Sequence, residues 1–141
     1  MSWISHGWVA LVAVLAAATA LGVFRSRVDG RLRQQAEPGT PALTSADLGA
    51  PLGERVTIVQ FSSAYCQLCR PTRAMLAEIA ASVDGARFVE VSAEERFALV
   101  RRLNVMRTPT VLVLDRVGKI VRRGSGMPDR ADVLAVVTDV A

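Results

Sequence analysis

Cys66 and Cys69 are the only thiols in a chain of 141 residues, and just two residues separate them. A Cys-x-x-Cys pair can supply half of a tetrahedral zinc site, close a small disulfide loop, or cycle between dithiol and disulfide. Structural zinc takes four ligands, and apart from the two cysteines the chain offers only His6, close to its N-terminus. A metal site would therefore need a dimer bridged through the cysteines. A staple across so short a gap removes little unfolded-state entropy, because that benefit grows with loop length. Two inert core thiols are the other bland alternative. Exchange chemistry leads, and it requires one reactive thiol with a second, more enclosed one within its reach.

The flanking elements could provide that arrangement. "RVTIVQF", residues Arg55 to Phe61, is β-branched and nearly continuous in apolar character, as in a strand buried on both faces. It runs directly into "SSAYCQLCRPT", Ser62 to Thr72. From Gln67 onward Leu68, Met75, Leu76, Ile79, Ala80 and Val83 recur at helical spacing, and Asp84-Gly85 closes the helix. The pair is thus expected at a strand-to-helix junction. Cys66 would lie at the helix start, where unpaired N–H groups and the positive end of the macrodipole favour a thiolate. Cys66 is then the nucleophile, and Cys69, a turn later, is the resolving thiol.

The rest of the C-terminal part reads as further strands and helices. "RFVEVS", Arg87 to Ser92, is a second strand, and Phe97, Leu99, Val100, Leu103 and Val105 fit a short amphipathic helix. Thr108 to Asp115 is a third strand, joined through the turn "RVGK" to Ile120–Arg123, and a last helix follows Pro128. The order strand, helix, strand, helix, strand, strand, helix predicts an α/β domain. Its first strands should be parallel through a right-handed crossover, and its last pair an antiparallel hairpin.

Upstream, residues 4–24 read as a transmembrane helix. After His6 there is no ionisable side chain until Arg25, and as a helix the stretch is about 31 Å long, close to a hydrocarbon core of about 30 Å. Trp3 and Trp8 suit the headgroup layer at one end. A cleaved secretory signal is the alternative, since Ala18-Thr19-Ala20 resembles a cleavage site, but no positive leader precedes the apolar run. Arg25, Arg27, Arg31 and Arg33 follow the span with no Lys or Arg before it. A single-pass cell-membrane protein with its domain on the cytoplasmic side is therefore expected, the extracytoplasmic side being the alternative. Residues 25–42, Arg-rich with Gly, Pro and Gln, read as a flexible linker, leaving 43–141 as a folded unit of sufficient size for one core. The net charge of +4 is shared between linker and domain, which gives no nucleic-acid signature; the arginine cluster is a topology signal with weak affinity for anionic lipid.

These residues together resemble the thioredoxin family, specifically its membrane-anchored bacterial members, from about Leu43 to the end of the chain. The resemblance is carried by "VTIVQF", by "CQLC" opening a helix, by "TPT" at Thr108–Thr110 followed by "VLVLD", and by Gly126 before the last helix. It implies a thioredoxin-like fold, a central mixed sheet flanked by helices, here preceded by one N-terminal transmembrane helix. It further implies a thiol–disulfide oxidoreductase that exchanges electrons with protein thiols and disulfides and needs no metal or organic cofactor; the membrane tether adds the expectation of exchange near the membrane, with a membrane or membrane-adjacent protein as a possible electron donor or acceptor. Pro109 would follow a cis bond. Thr108 and Pro109 would pair with an extended partner segment beside Tyr65, Gln67 and Leu68, the other substrate-binding positions.

The chain also departs from the family. Gln60 stands where a buried Asp is usual, Ser62 replaces a bulky aromatic residue, and Tyr65 replaces the Trp before the first cysteine. Gln67-Leu68 replaces Gly-Pro, and Pro71 comes early in the helix, where a missing N–H is harmless. Glu90 occupies a place that usually holds Lys, on the strand expected beside Gln60. A desolvated carboxylate there would be the proton acceptor for Cys69, completing a catalytic set of Cys66, Cys69 and Glu90; the alternative is a strand-edge Glu in water. Arg70 and Arg73 could support the thiolate or simply form a solvated helix face. A non-catalytic binding module of the same fold, and a metal-bridged dimer, are the alternative functions.

Overall fold

The computed structural model describes residues 2–35 and 39–141. Residues 36–38 of the expected linker lie outside the described residues, as does the side chain of Trp3. Helix α1, Ser2–Val28, carries a 23-residue stretch, His6–Val28, in which an 18-residue window has mean hydropathy 2.2 and no buried share. It is long and apolar enough to cross a membrane.

Five strands form one mixed sheet: β1 (Arg33–Gln34), β2 (Val56–Ser62), β3 (Ala86–Ser92), β4 (Thr110–Asp115) and β5 (Ile120–Ser125), in spatial order β1-β5-β4-β2-β3. The β2–β3 pair is parallel, and the other pairs are antiparallel. Every residue of β2 is buried, as its largely apolar sequence calls for in a strand with neighbours on both sides and cover on both faces. The parallel pair is bridged by α3 (Cys69–Ser82), the crossover expected between Cys69 and the second strand.

Side-chain alternation divides the core in two. Val59 and Phe61 of β2, Val89 and Val91 of β3, and Leu112 and Leu114 of β4 pack on one face under α2 (Ser45–Leu48) and α4 (Phe97–Arg102). Val56 and Ile58, with Val111 and Val113, pack on the other face under Leu76, Ile79 and Ala80 of α3 and Val133 and Val137 of α5 (Arg130–Val140). By this alternation Gln60, Ser62 and Glu90 belong to the α3 side. The first turn of α3 lies over the end of the sheet where the apolar strand pattern gives way to polar residues.

Two features depart from the expected organisation. Thr44 and Asp47 form a capping box that starts the short helix α2, in a stretch with no helical periodicity to announce it. The segment expected to be a free linker is partly structured. Arg33 and Gln34 pair with Arg123 and Arg122 as an edge strand, and the Gly30 N–H donates to the Ser125 carbonyl at 2.6 Å. Backbone hydrogen bonds alone can make such a strand, which is why its side-chain pattern gave no sign of it.

Candidate functional site

The sequence Ser63–Leu68 turns off the end of β2 and delivers both cysteines to the N-terminal end of α3. Cys66 and Cys69 form a disulfide with their Cα atoms 5.4 Å apart. Cys66 is half-buried, whereas Cys69 is only 2% exposed, so the first cysteine of the bridge is the more accessible residue and the second is enclosed. α3 starts at Cys69, later than expected, and Cys66 lies in the turn ahead of it, its carbonyl accepting from the Cys69 N–H at 3.3 Å. The free N–H groups of the first helical turn therefore follow Cys66 rather than belonging to it. Pro71 falls within that first turn, where its missing N–H leaves no intrahelical bond unmade.

Beneath the bridge, Gln60 is fully buried and its side-chain amide donates to the Cys69 carbonyl at 2.9 Å. Its other terminal atom, Oε1, is buried with no hydrogen-bond partner among the described residues. An amide can hold this backbone in place, but it cannot take a proton at neutral pH as a carboxylate can. Ser62 is small enough for its hydroxyl to donate to Glu90 Oε1 at 2.7 Å, and Arg73 on α3 donates to the same oxygen at 2.6 Å. Gln60 and Glu90 are register partners on β2 and β3, as expected.

Glu90 falls between the two readings: its side chain is neither fully desolvated nor free in water, but 28% exposed and ion-paired with Arg73. The reason is topological, since β3 is an outer strand of the sheet, so a side chain on it has a strand neighbour on one side only. The pairing also gives Arg73 a definite partner, where a merely solvated helix face was the plainer expectation.

On the opposite side of the cysteines lies the loop before β4. The Thr108–Pro109 peptide bond is cis. The Thr108 hydroxyl lies 3.0 Å from the Ser63 hydroxyl, which ties this loop to the turn that carries Cys66. Pro109 is buried, and its carbonyl accepts from the Gly126 N–H at 2.7 Å. Around the bridge Tyr65 is 96% exposed, and Gln67 and Leu68 are also exposed. Met106, 83% exposed, adds an apolar side chain near the Thr108 loop. The face around Cys66 thus presents unpaired apolar groups beside the half-buried sulfur.

Three contributors went unnoticed in the sequence: Ser63, Glu94 and Met106. Glu94 accepts from the Ala64 N–H at 3.0 Å and from the Ser92 hydroxyl at 3.1 Å, pinning the turn before Cys66 to the end of β3. The Ala64 N–H, foremost among these donors, holds its carboxyl below the ordinary carboxylate range. The Ser92-x-Glu94 spacing hinted at a local hydroxyl–carboxylate pair, but the bond to Ala64 spans thirty positions and leaves no local pattern. A hollow of about 560 Å³ lies elsewhere, between the residues after α1 and β5, with Arg31, Arg33, Arg102, Arg107 and Arg123 among its walls. It does not include the cysteines, and the exchange chemistry belongs to the open face at Cys66.

A redox-active cysteine pair at a strand-to-helix junction, opposite a cis-proline loop on a mixed sheet, defines a dithiol–disulfide exchange protein. The thioredoxin family model matches residues 45–139, and the chain belongs to that family. Among solved structures, thioredoxin from Fasciola hepatica is similar at 21% identity, covering 63% of this chain and 84% of its own, with a TM-score of 0.55. A mutant thioredoxin from Halobacterium salinarum gives 18% identity, 62% and 75% coverage, and 0.56. Thioredoxin-2 of the malaria parasite gives 15% identity, 73% and 98% coverage, and 0.58. At these identities the likeness is one of fold. No curated protein matches the chain in sequence.

Proposed function

We propose that this thioredoxin-family oxidoreductase works from a membrane anchor, with Cys66 as nucleophile and Cys69 as resolving thiol. The observation that carries the chemistry is the Cys66–Cys69 disulfide, with one cysteine half-buried and the other enclosed. In the reducing direction the Cys66 thiolate attacks a partner disulfide, forming a mixed disulfide and releasing one partner thiolate. The Cys69 thiolate then attacks Cys66 sulfur, releases the second partner thiolate, and leaves the chain oxidised. Two electrons pass to the partner, and an external dithiol must return them. The oxidising direction is the same sequence reversed.

Thr108 and Pro109 receive the partner as an added strand, with Tyr65, Gln67 and Leu68 forming the rest of the contact. The exposure of Tyr65 and Leu68 supports that role. Glu90 is the acid–base group for Cys69, a part-buried carboxyl group shared between Ser62 and Arg73. The length and hydropathy of His6–Val28 support the anchor, and the arginines after it support a cytoplasmic domain.

Insulin reduction driven by dithiothreitol tests the chemistry. The native chain should turn over, Cys66→Ser should abolish turnover, and Cys69→Ser should accumulate mixed disulfides through Cys66. Stable mixed disulfides in the native chain without turnover would identify a binding module instead.

A further inference from the structure

A free linker over residues 25–42 would let the domain roam, reaching about 60 Å from the end of α1 when fully extended. The contacts made by its first residues show a different arrangement. The Asp29 N–H donates to the Arg25 carbonyl at 2.9 Å, so the helical path runs on into the next residue. The Asp29 carboxylate takes both terminal nitrogens of Arg107, at 2.7 and 3.3 Å. Gly30 has φ +87°, and a Cβ there would collide with the Met127 carbonyl, so the backbone lies directly against the loop after β5. The Gly30–Ser125 hydrogen bond and the pairing of Arg33 and Gln34 with β5 extend the attachment.

Both anchor points belong to the catalytic face. Arg107 immediately precedes Thr108, whose hydroxyl meets Ser63, three residues before Cys66. The Ser125–Met127 loop touches the other side of the same structure, since the Gly126 N–H donates to the Pro109 carbonyl. A short series of contacts, Asp29 to Arg107, Thr108 to Ser63, links the end of α1 to the turn bearing the nucleophile.

We propose that Asp29–Gln34 strap the catalytic face beside the end of α1, and that the partner is a membrane protein whose reactive disulfide lies at the bilayer surface. The inference rests on the anchored, disulfide-exchanging reading above. A strapped face meets disulfides at a fixed height in the plane of the membrane, where the effective concentration of a membrane partner is highest. Disulfides held far out from the surface meet it less often.

The test uses the full chain, reduced in advance and reconstituted in vesicles with single-span reporter peptides whose cysteines face the folded domain. One reporter carries its disulfide directly after the span; the other carries it on an arm of about 30 Gly/Ser residues, roughly 30 Å out. In a single turnover, two electrons move from Cys66 and Cys69 to the reporter disulfide, and acid quenching with alkylation counts the new thiols. The surface reporter should react roughly tenfold faster or more. Inserting about 20 Gly/Ser residues between Val28 and Asp29, a span of about 25 Å, should erase that preference while leaving the strap docked on the domain. Equal rates in the native chain, or a preference that survives the insertion, would overturn the strap. Insulin reduction by the same preparation in detergent separates the two layers: turnover without a height preference defeats this inference alone, and no turnover defeats the exchange reading and this one together.

Discussion

The turn carrying the cysteines and the segment following α1 are held by different means. The first is rooted in fully buried groups: Gln60 beneath Cys69, a β2 with no exposed residue, and Leu76 and Ile79 of α3 packed on Ile58 and Val113. The second depends on an exposed ion pair, one backbone hydrogen bond and a two-residue strand at the sheet edge. Buried contacts release only when the domain unfolds, whereas edge contacts can open locally at small cost. The geometry of exchange is therefore fixed by the core, and the height at which it is presented by contacts that can be removed without unfolding the domain.

The largest effect should come from the core side of this contrast. Leu76→Ala removes buried packing between α3 and the sheet and should lower stability by about 2–5 kcal/mol, read from the denaturant midpoint. An effect below about 1 kcal/mol, the usual range for surface positions, would mean that α3 is held far more loosely than its burial implies. Glu90→Gln should leave stability nearly unchanged and slow Cys69-dependent turnover several-fold, with an altered dependence of rate on pH, as expected for loss of a general acid–base group. An unchanged profile would remove Glu90 from the mechanism.

The smallest effect belongs to the strap. The Arg107 hydrogen bond, ahead of other causes, holds the Asp29 carboxyl below its ordinary value of 3.8. A carboxylate depressed in the folded state stabilises it above the ordinary value and loses that contribution as pH falls through the lower, folded one. Protection of the Gly30 N–H against hydrogen exchange should accordingly decline below about pH 4 while β2 amides stay protected. Asp29→Asn should show the weakened protection at neutral pH and lose the acid dependence; equal protection in both chains would mean that the ion pair contributes nothing to the attachment.

The same contrast explains what the sequence made legible. β2, α3 and the hairpin of β4 and β5 were readable because burial imposes a side-chain period, and the cysteines and Pro109 because their types are chemically restricted. Gln60 could be placed beside Glu90 by alignment of strands alone. Exposure of Glu90 could not, because it depends on which strand ends the sheet, a property of the whole topology. β1 uses backbone groups and α2 is a single capped turn, so neither leaves a period to detect. Ser63 meeting Thr108 and Glu94 meeting Ala64 are long-range polar contacts, and their specificity resides in distances that no short motif records.

The short strand Arg33–Gln34 has one more consequence. An uncovered sheet margin can template pairing with a neighbouring copy, a hazard that grows when molecules are crowded together. Here β1 covers part of the β5 margin with an arginine-bearing piece too brief to recruit another strand, while the β3 margin displays the charges of Arg87 and Glu90. The domain thereby carries its own defence against edge-to-edge aggregation.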